Sequence, residues 1–175
     1  MTIPQFTVGQ VLTAAELNAM VDAINAGGAV KVERFTASGT FTPATGVTYA
    51  VAYITGGGGG IGTASSGTGG ASSVAFASGT VTADGGLGFN QTSYSGAPSA
   101  SAGTANSGYG ATRTANDSTT AAVGNQAQNG AIIVAGGAVT AGLGITVTVG
   151  AGGVAGTSTG AAGGSGYVYI EYAGG

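Results

Sequence analysis

The sequence is most informative in what it lacks. It contains no histidine, no cysteine and no tryptophan, and only nine of its 175 residues are charged, three basic and six acidic. Without His or Cys the chain has no imidazole base, no thiolate nucleophile and none of the usual nitrogen and sulfur ligands of zinc, copper or haem. We therefore expect a protein that is not an enzyme and that uses no metal and no cofactor.

The few charged residues exclude further classes of function. General acid–base catalysis would need a carboxylate pair of the kind that glycosidases use, and only Asp84 and Asp117 lie between residues 35 and 170. The three basic residues are too few to neutralise a phosphate backbone, since each released counterion needs its own Lys or Arg. They are Lys31, Arg34 and Arg113. We expect no nucleic-acid partner.

The N-terminal segment differs from the rest of the chain. It lacks the basic region and apolar stretch of a secretory signal, which predicts synthesis and assembly in a cytoplasm. Thr13 and Glu16 form a capping box, and a hydrophobic staple joins Leu12 to Leu17. Apolar residues then recur at helical spacing, and Gly27 follows as a stop signal. A helix over about 14–25 is predicted, with its apolar stripe on Leu17, Met20, Val21 and Ile24.

A helix of about three turns is marginal alone in water, so its stripe must dock on something. Three partners stay open: the rest of this chain, another copy of it, or a larger assembly. We take residues 1–28 as an attachment segment and residues 29–175 as one domain. The candidates for attachment or oligomer contacts are Phe6, Leu12, Leu17, Met20, Val21 and Ile24.

From Val30 onward, apolar residues alternate at strand period. The predicted strands cover residues 30–35, 39–43, 47–54, 73–77, 80–83, 131–135, 143–149 and 167–172, and the strongest places Tyr49, Val51 and Tyr53 on one face. The fold expected is mainly β, a glycine-rich β-sandwich-like domain with polyglycine loops, preceded by the one short helix.

Glycine supplies 38 residues, many of them in the runs 56–60, 67–70, 150–153 and 160–166. Glycine loses the most backbone entropy on folding and brings no side chain to bury, which predicts a poorly stable isolated monomer. Bare backbones can approach closely, however, as extended or polyproline-II segments bonded to neighbouring strands or neighbouring chains. Association with further copies is the simplest compensation.

Two patterns invite other interpretations. Residues 131–151 carry no charge over a length that could span a bilayer, yet five glycines and the alternation from Ile145 to Val149 favour two strands joined by a turn. Gly57, Gly59 and Gly62 match the dinucleotide-binding fingerprint, which requires a helix to open at the third glycine. Residues 63–70 cannot supply one, so we expect no nucleotide.

The stretch 85–130 is a long irregular region whose Tyr, Ser, Gly and Asn content resembles that of binding loops. Loops of this length are functional, contact other chains, or are simply solvated. The candidates for contact with a receptor, either a saccharide or a protein of a host surface, are Phe89, Asn90, Tyr94, Asn106, Tyr109, Arg113, Asn116 and Asp117.

Several pieces of the chain resemble one known family. The run FTASGTFTPATGVTYAVAYITGGGGG at 35–60 resembles the opening of the glycine-rich domain of bacteriophage tail fibre proteins, and ITVTVGAGG at 145–153 and GGSGYVYIEY at 163–172 resemble its closing segments. The leader FTVGQVLTAAELNAMVDAIN resembles the start of small phage tail proteins. One departure is that ASSVAFASGTVTADGG precedes the ITVTVGAGG piece instead of following it.

The resemblance implies a structural virion protein, a phage tail fibre or baseplate-tip subunit. Its N-terminus would join other tail or baseplate proteins, it would form a homotrimer, and its distal loops would recognise a host surface. A purely architectural subunit without receptor binding, and a membrane-active segment at 131–151, are the alternatives.

Overall fold

The computed structural model describes residues 30–62, 66–90, 99–114, 124–156 and 160–174. Within these ranges the chain is mainly β and contains no helix. The predicted helix at 14–25, with all six attachment candidates, lies outside the described residues.

Thirteen strands follow one another along the described chain. They are β1 (Val30–Phe35), β2 (Gly39–Phe41), β3 (Tyr49–Thr55), β4 (Ile61–Gly62), β5 (Ser72–Phe76), β6 (Gly79–Ala83), β7 (Phe89–Asn90), β8 (Ser99–Ser101), β9 (Thr112–Thr114), β10 (Gly124–Gln126), β11 (Ile132–Ala138), β12 (Ile145–Thr148) and β13 (Tyr167–Ala173). Every strand predicted from alternation is found, with ends shifted by a few residues.

Two four-stranded antiparallel sheets form the main body, with strand orders β1-β13-β3-β11 and β2-β12-β5-β6. We call them sheet I and sheet II. In sheet I, β13 pairs with β1 on one side and with β3 on the other, so that Tyr169 lies between Arg34 and Tyr53. In sheet II, β12 lies between β2 and β5. The segment that contains β5 precedes β12 in the chain, and the two strands lie side by side in sheet II.

One hydrophobic core lies between sheets I and II. Alternate residues of β3 and β13 face it, including Ile54, Val168 and Ile170, and sheet II contributes Val74 and Val147; all five are fully buried. This alternation is what the period-2 pattern of the sequence predicts for a sheet with one face covered. The opposite faces of the sheet I strands point away from this core.

Residues 131–151 form β11 in sheet I and β12 in sheet II, joined through a turn at Ala141–Gly142. The prediction of two strands and a turn is confirmed. No helix within the described ranges has the length and hydropathy required to cross a membrane.

The region 85–130 is more regular than the sequence suggests. It contains β7, the three-stranded sheet β10-β9-β8, and glycine-containing stretches that hydrogen-bond to the run at 56–61. Its described parts thus contain four short strands that the sequence analysis did not predict, because the bonding involves backbone atoms and leaves no pattern in the side chains.

Candidate functional site

The glycine run that follows β3 is surrounded by other stretches of the same chain. Successive amides of residues 56–61 donate to three different neighbours in turn. Gly56 and Gly59 donate to Ala131 and Gln128; Gly57 and Gly60 donate to Gly70 and Gly67; Gly58 and Ile61 donate to Gly164 and Ala161, all at 2.8–3.0 Å. The bonding pattern therefore repeats every three residues.

The carbonyl groups of the same run accept with the same period. Gly57 and Gly60 accept from Gly86 and Phe89, Gly58 and Ile61 accept from Gly153 and Gly156, and Gly59 accepts from Ala111. Three residues per turn is the repeat of a polyproline-II helix, which makes no hydrogen bonds within itself and points its backbone groups outward in three directions. Six neighbouring segments consequently bond to the central run. We call the whole arrangement the glycine bundle.

Side-chain-free residues are what allow these backbones to approach so closely. A Cβ atom added at Gly57 would lie 2.0 Å from the Ala151 carbonyl oxygen, and one added at Gly58 would lie 2.1 Å from that of Tyr109. Neither oxygen belongs to a flexible side chain that could move aside. These hydrogen bonds join stretches of one chain, so the described glycine runs have backbone partners within the chain itself.

The glycine bundle consists of four segments that leave the sheets and four that return to them. The outgoing segments are 56–62, 84–90, 109–114 and 150–156, and the returning ones are 66–70, 99–103, 124–130 and 160–166. The ends of these segments farthest from the sheets lie at the same height along the bundle. Gly62 pairs with Asn90, and Ile61 pairs with Ala161. Thr114 pairs with both Gly124 and Ser99. At about 3.1 Å per residue, this end lies about 19 Å beyond Gly56.

The described chain begins at the opposite end of the molecule. Val30 pairs with Ala173, the last residue of β13, whereas Phe35 pairs with Val168 near the junction with the bundle. β1 therefore begins at the end of sheet I remote from the bundle, and the far end of the bundle forms the other pole. The molecule has an axis with distinct ends.

The structure does not bring the described receptor candidates together. Phe89 packs beside the small buried cluster of Ile61, Ala111 and Ala161 inside the bundle. Asn106 lies near the sheets in a turn with φ of 55°. Its backbone amide donates to Ser165 Oγ at 3.0 Å, and its Oδ1 accepts from the same hydroxyl at 3.2 Å. Both residues thus have structural contacts of their own.

The other described candidates are spread along the bundle. Tyr109 is exposed but lies on the side of the bundle, about as far from the sheets as Gly58. Asn90 ends β7, and Arg113 pairs with Ala100 and Asn125 in the middle of β9, so both backbones lie toward the far end. Tyr94, Asn116 and Asp117 lie outside the described residues.

A second surface, on sheet I, was not predicted as a site from the sequence. Val32, Tyr53 and Val134 lie on its face opposite the core and are 57%, 37% and 58% exposed. Val30, Tyr49 and Ile132 extend the same face. We call it the outer face. Its signal in the sequence is that apolar residues occupy both parities of β3 and β11, whereas a sheet with one face in water would alternate apolar with polar residues.

The two charged side chains on the outer face already have partners. The Tyr53 hydroxyl donates to Glu171 Oε2 at 3.1 Å, and this hydrogen bond together with the carboxylate charge raises the pKa of Tyr53 above its usual 10.0. The Arg34 guanidinium lies 5.5 Å from the centre of the Tyr169 ring, within the range of a cation–π contact. The face is therefore dominated by apolar and aromatic surface.

A shallow depression of about 280 Å³ runs across the outer face and reaches all four strands of sheet I. Its lining residues include Val32, Tyr53, Tyr167, Ile132 and Thr55. Thr55 is 2% exposed, and its hydroxyl has no hydrogen-bond partner within the described part of the chain. A buried hydroxyl without a partner is uncommon and points to a missing one.

The described residues contain no cluster of three or more His, Cys, Asp or Glu side chains suited to hold a metal ion.

The motif of Gly57, Gly59 and Gly62, which resembles the dinucleotide-binding fingerprint, ends in the strand β4. The Asp84 carbonyl accepts a hydrogen bond from the Ala131 amide at 2.8 Å within the bundle. Comparison with family models, with curated proteins and with solved structures finds no match to this chain.

Proposed function

We propose that this chain is a structural virion protein, a bacteriophage tail fibre or baseplate-tip subunit that attaches through residues 1–28 and meets the host surface with the far end of its glycine bundle. It would be assembled in the host cytoplasm and act in the phage tail. The resemblance of the glycine-rich segments to tail fibre proteins motivates this proposal.

The observation that carries it is the polarity of the molecule. The leader enters sheet I at Val30, and the ends of the outgoing and returning segments lie level at the other pole. An adhesin on a particle needs this separation, because one end must bind the tail while the other remains free. In this proposal, sheets I and II with their shared core form a sandwich-like base. The bundle acts as a spacer that is held together by backbone hydrogen bonds along its length.

Residues 63–65, 91–98, 115–123 and 157–159 lie outside the described residues, each between two segments whose described ends are at the far pole, and they include three of the receptor candidates. Tyr94 offers a rigid aromatic surface, and Asn116 and Asp117 offer groups that hydrogen-bond to saccharide hydroxyls or to peptide groups. We propose that host recognition resides in these stretches and in Arg113. A homotrimer is the expected state on the particle.

Immunogold labelling of purified phage particles with antibodies against this chain tests the proposal. Label confined to the distal end of the tail, and lost when residues 1–28 are deleted, supports it. Absence of the chain from purified particles contradicts the virion assignment, whereas normal incorporation of the deleted chain contradicts attachment through the leader alone.

A purely architectural subunit is the second candidate, favoured by the many backbone-to-backbone hydrogen bonds within the bundle. Alanine at Tyr94 separates the two: loss of adsorption with normal particle assembly supports recognition, and failed assembly supports architecture.

A further inference from the structure

The outer face of sheet I is an extended apolar surface that no described element covers. Six large apolar side chains are between 37% and 69% exposed on it, and they extend across β1, β3 and β11. Contiguous apolar patches of this kind on a folded domain mark a site that contacts another element or another molecule. The depression and the unpaired Thr55 hydroxyl lie on the same face.

We propose that residues 14–25 of the same chain fold back as a helix onto the outer face and cover it with Leu17, Met20, Val21 and Ile24. The proposal goes beyond the function argued above and does not depend on it. It leaves Phe6 and the residues before Leu12 free for attachment.

The position and length of the connection support this occupant. Four residues, 26–29, separate the predicted helix end from Val30, which is itself exposed on the outer face. Helices and strands in compact domains are commonly joined by two to six residues. Two of these four residues are Gly27 and Gly28, which allow the chain to reverse direction.

The dimensions also match. Twelve helical residues extend about 18 Å at 1.5 Å per residue, and the seven residues of β3 and β13 extend about 23 Å at 3.3 Å per residue. The four strands of sheet I span about 14 Å between the axes of the outermost pair. One short helix is therefore the right size to cover the middle of the face.

The marginal stability of a short helix favours the same arrangement. Burial of the stripe on the face supplies the stabilisation that a three-turn helix lacks alone in water.

The chain has no cysteine, so an introduced pair reports proximity without background. Val51, half-buried on the outer face in the middle of β3, is replaced by Cys, and the four stripe positions are replaced by Cys one at a time. Ala19 and Asp22, on the opposite side of the predicted helix, provide the matched controls. Each full-length variant is oxidised with glutathione disulfide and its disulfides are mapped by mass spectrometry.

We expect at least one stripe variant to form an intrachain disulfide with Val51→Cys about tenfold faster than either control, because docking raises the effective concentration of the thiol. Disulfides between chains would overturn the proposal in favour of docking onto a second copy. Equal rates at stripe and control positions would overturn it outright. Thermal unfolding of the reduced variants, compared with the starting protein, verifies that each pair is measured in the folded state.

Discussion

The buried hydroxyl of Ser72 accepts a hydrogen bond from the Gly150 amide at 2.9 Å, and it donates one to the Thr55 carbonyl at 2.7 Å. Ser72 begins β5, Thr55 ends β3, and Gly150 follows β12. One side chain therefore joins sheet I, sheet II and the glycine bundle where they meet. Most hydrogen bonds of the bundle join backbone atoms, which a side-chain substitution does not remove. Ser72 is therefore the residue at which a substitution tests how much the contact between bundle and sheets contributes to stability.

Ser72→Ala is expected to lower the free energy of unfolding by about 1–3 kcal/mol, because it leaves the buried Gly150 amide and Thr55 carbonyl short of a partner. Urea denaturation followed by circular dichroism measures the change. Ser73→Ala, the neighbouring half-buried residue of the same strand, is the matched control and should change stability by less than about 0.5 kcal/mol. Equal effects of the two substitutions would contradict the role given to Ser72.

Gly58→Ala should destabilise the protein by at least about 1–3 kcal/mol, the usual cost of overpacking, since its Cβ would lie 2.1 Å from the Tyr109 carbonyl oxygen. Gly39→Ala is the control, because a Cβ there meets only the Phe35 ring, at 3.5 Å. The control should be neutral or stabilising by a few tenths of a kcal/mol, through the lower entropy of its unfolded chain. Thermal unfolding measures the stability of both variants. A Gly58→Ala protein as stable as the Gly39→Ala control would contradict the close packing of backbones in the bundle.

The strands were predictable because burial on one face of a sheet imposes a period of two on the side chains. Tyr167–Ala173 buries Val168 and Ile170 at that period, and Val30–Phe35 forms a strand where its alternation indicates, although its Val30 and Val32 lie on the exposed outer face. The partners of the glycine run were not predictable. Gly57 bonds to Gly70 and Gly58 to Gly164 through backbone atoms alone, and glycines that all lack a side chain leave no pattern to distinguish one partner from another.

The candidate residues illustrate the same limit. Tyr, Asn and Phe in a glycine-rich region suggested a binding loop, but such residues also serve as packing and turn residues. Phe89 contacts the buried cluster around Ile61, and Asn106 adopts a positive φ that Asn tolerates better than most residues. Their positions depend on the backbone hydrogen bonds of the bundle, which repeat every three residues and leave no pattern in the side chains.

Asn106→Ala is therefore expected to reduce stability, since Ala is strained at φ of 55° and has no side-chain oxygen to accept from the Ser165 hydroxyl. A loss of about 1–2 kcal/mol in the free energy of unfolding is expected. Asn106→Gly is the informative partner variant, because it relieves the backbone strain and removes only the side-chain contact. A smaller loss in the Gly variant than in the Ala variant, measured by urea denaturation, separates strain from hydrogen bonding; a larger one would contradict the strain argument.

Tyr53 should titrate at a pH above 10.0, since its hydroxyl donates to the Glu171 carboxylate, which opposes the loss of the phenol proton. The folded pKa is raised, so the contribution of this pair to stability is present below the usual tyrosine pKa and is lost as pH rises through the higher folded value. The difference in ultraviolet tyrosinate absorbance between the unsubstituted protein and Tyr53→Phe isolates this one group. Glu171→Gln should return its midpoint toward 10.0, and an unchanged midpoint would assign the shift to another cause.

The polarity of the molecule predicts a gradient of effects on adsorption to host cells. Arg113 lies toward the far end of the bundle through its pairing with Asn125, and Tyr109 lies nearer the sheets. If the far end meets the host, Arg113→Ala should reduce adsorption about tenfold, as expected for an interface arginine, while the exposed Tyr109→Ala should stay within about twofold. Binding of fluorescently labelled protein to host cells measures both variants, with thermal unfolding as the check on folding. A stronger loss at Tyr109 than at Arg113 would place the contact on the side of the bundle and contradict recognition at its far end.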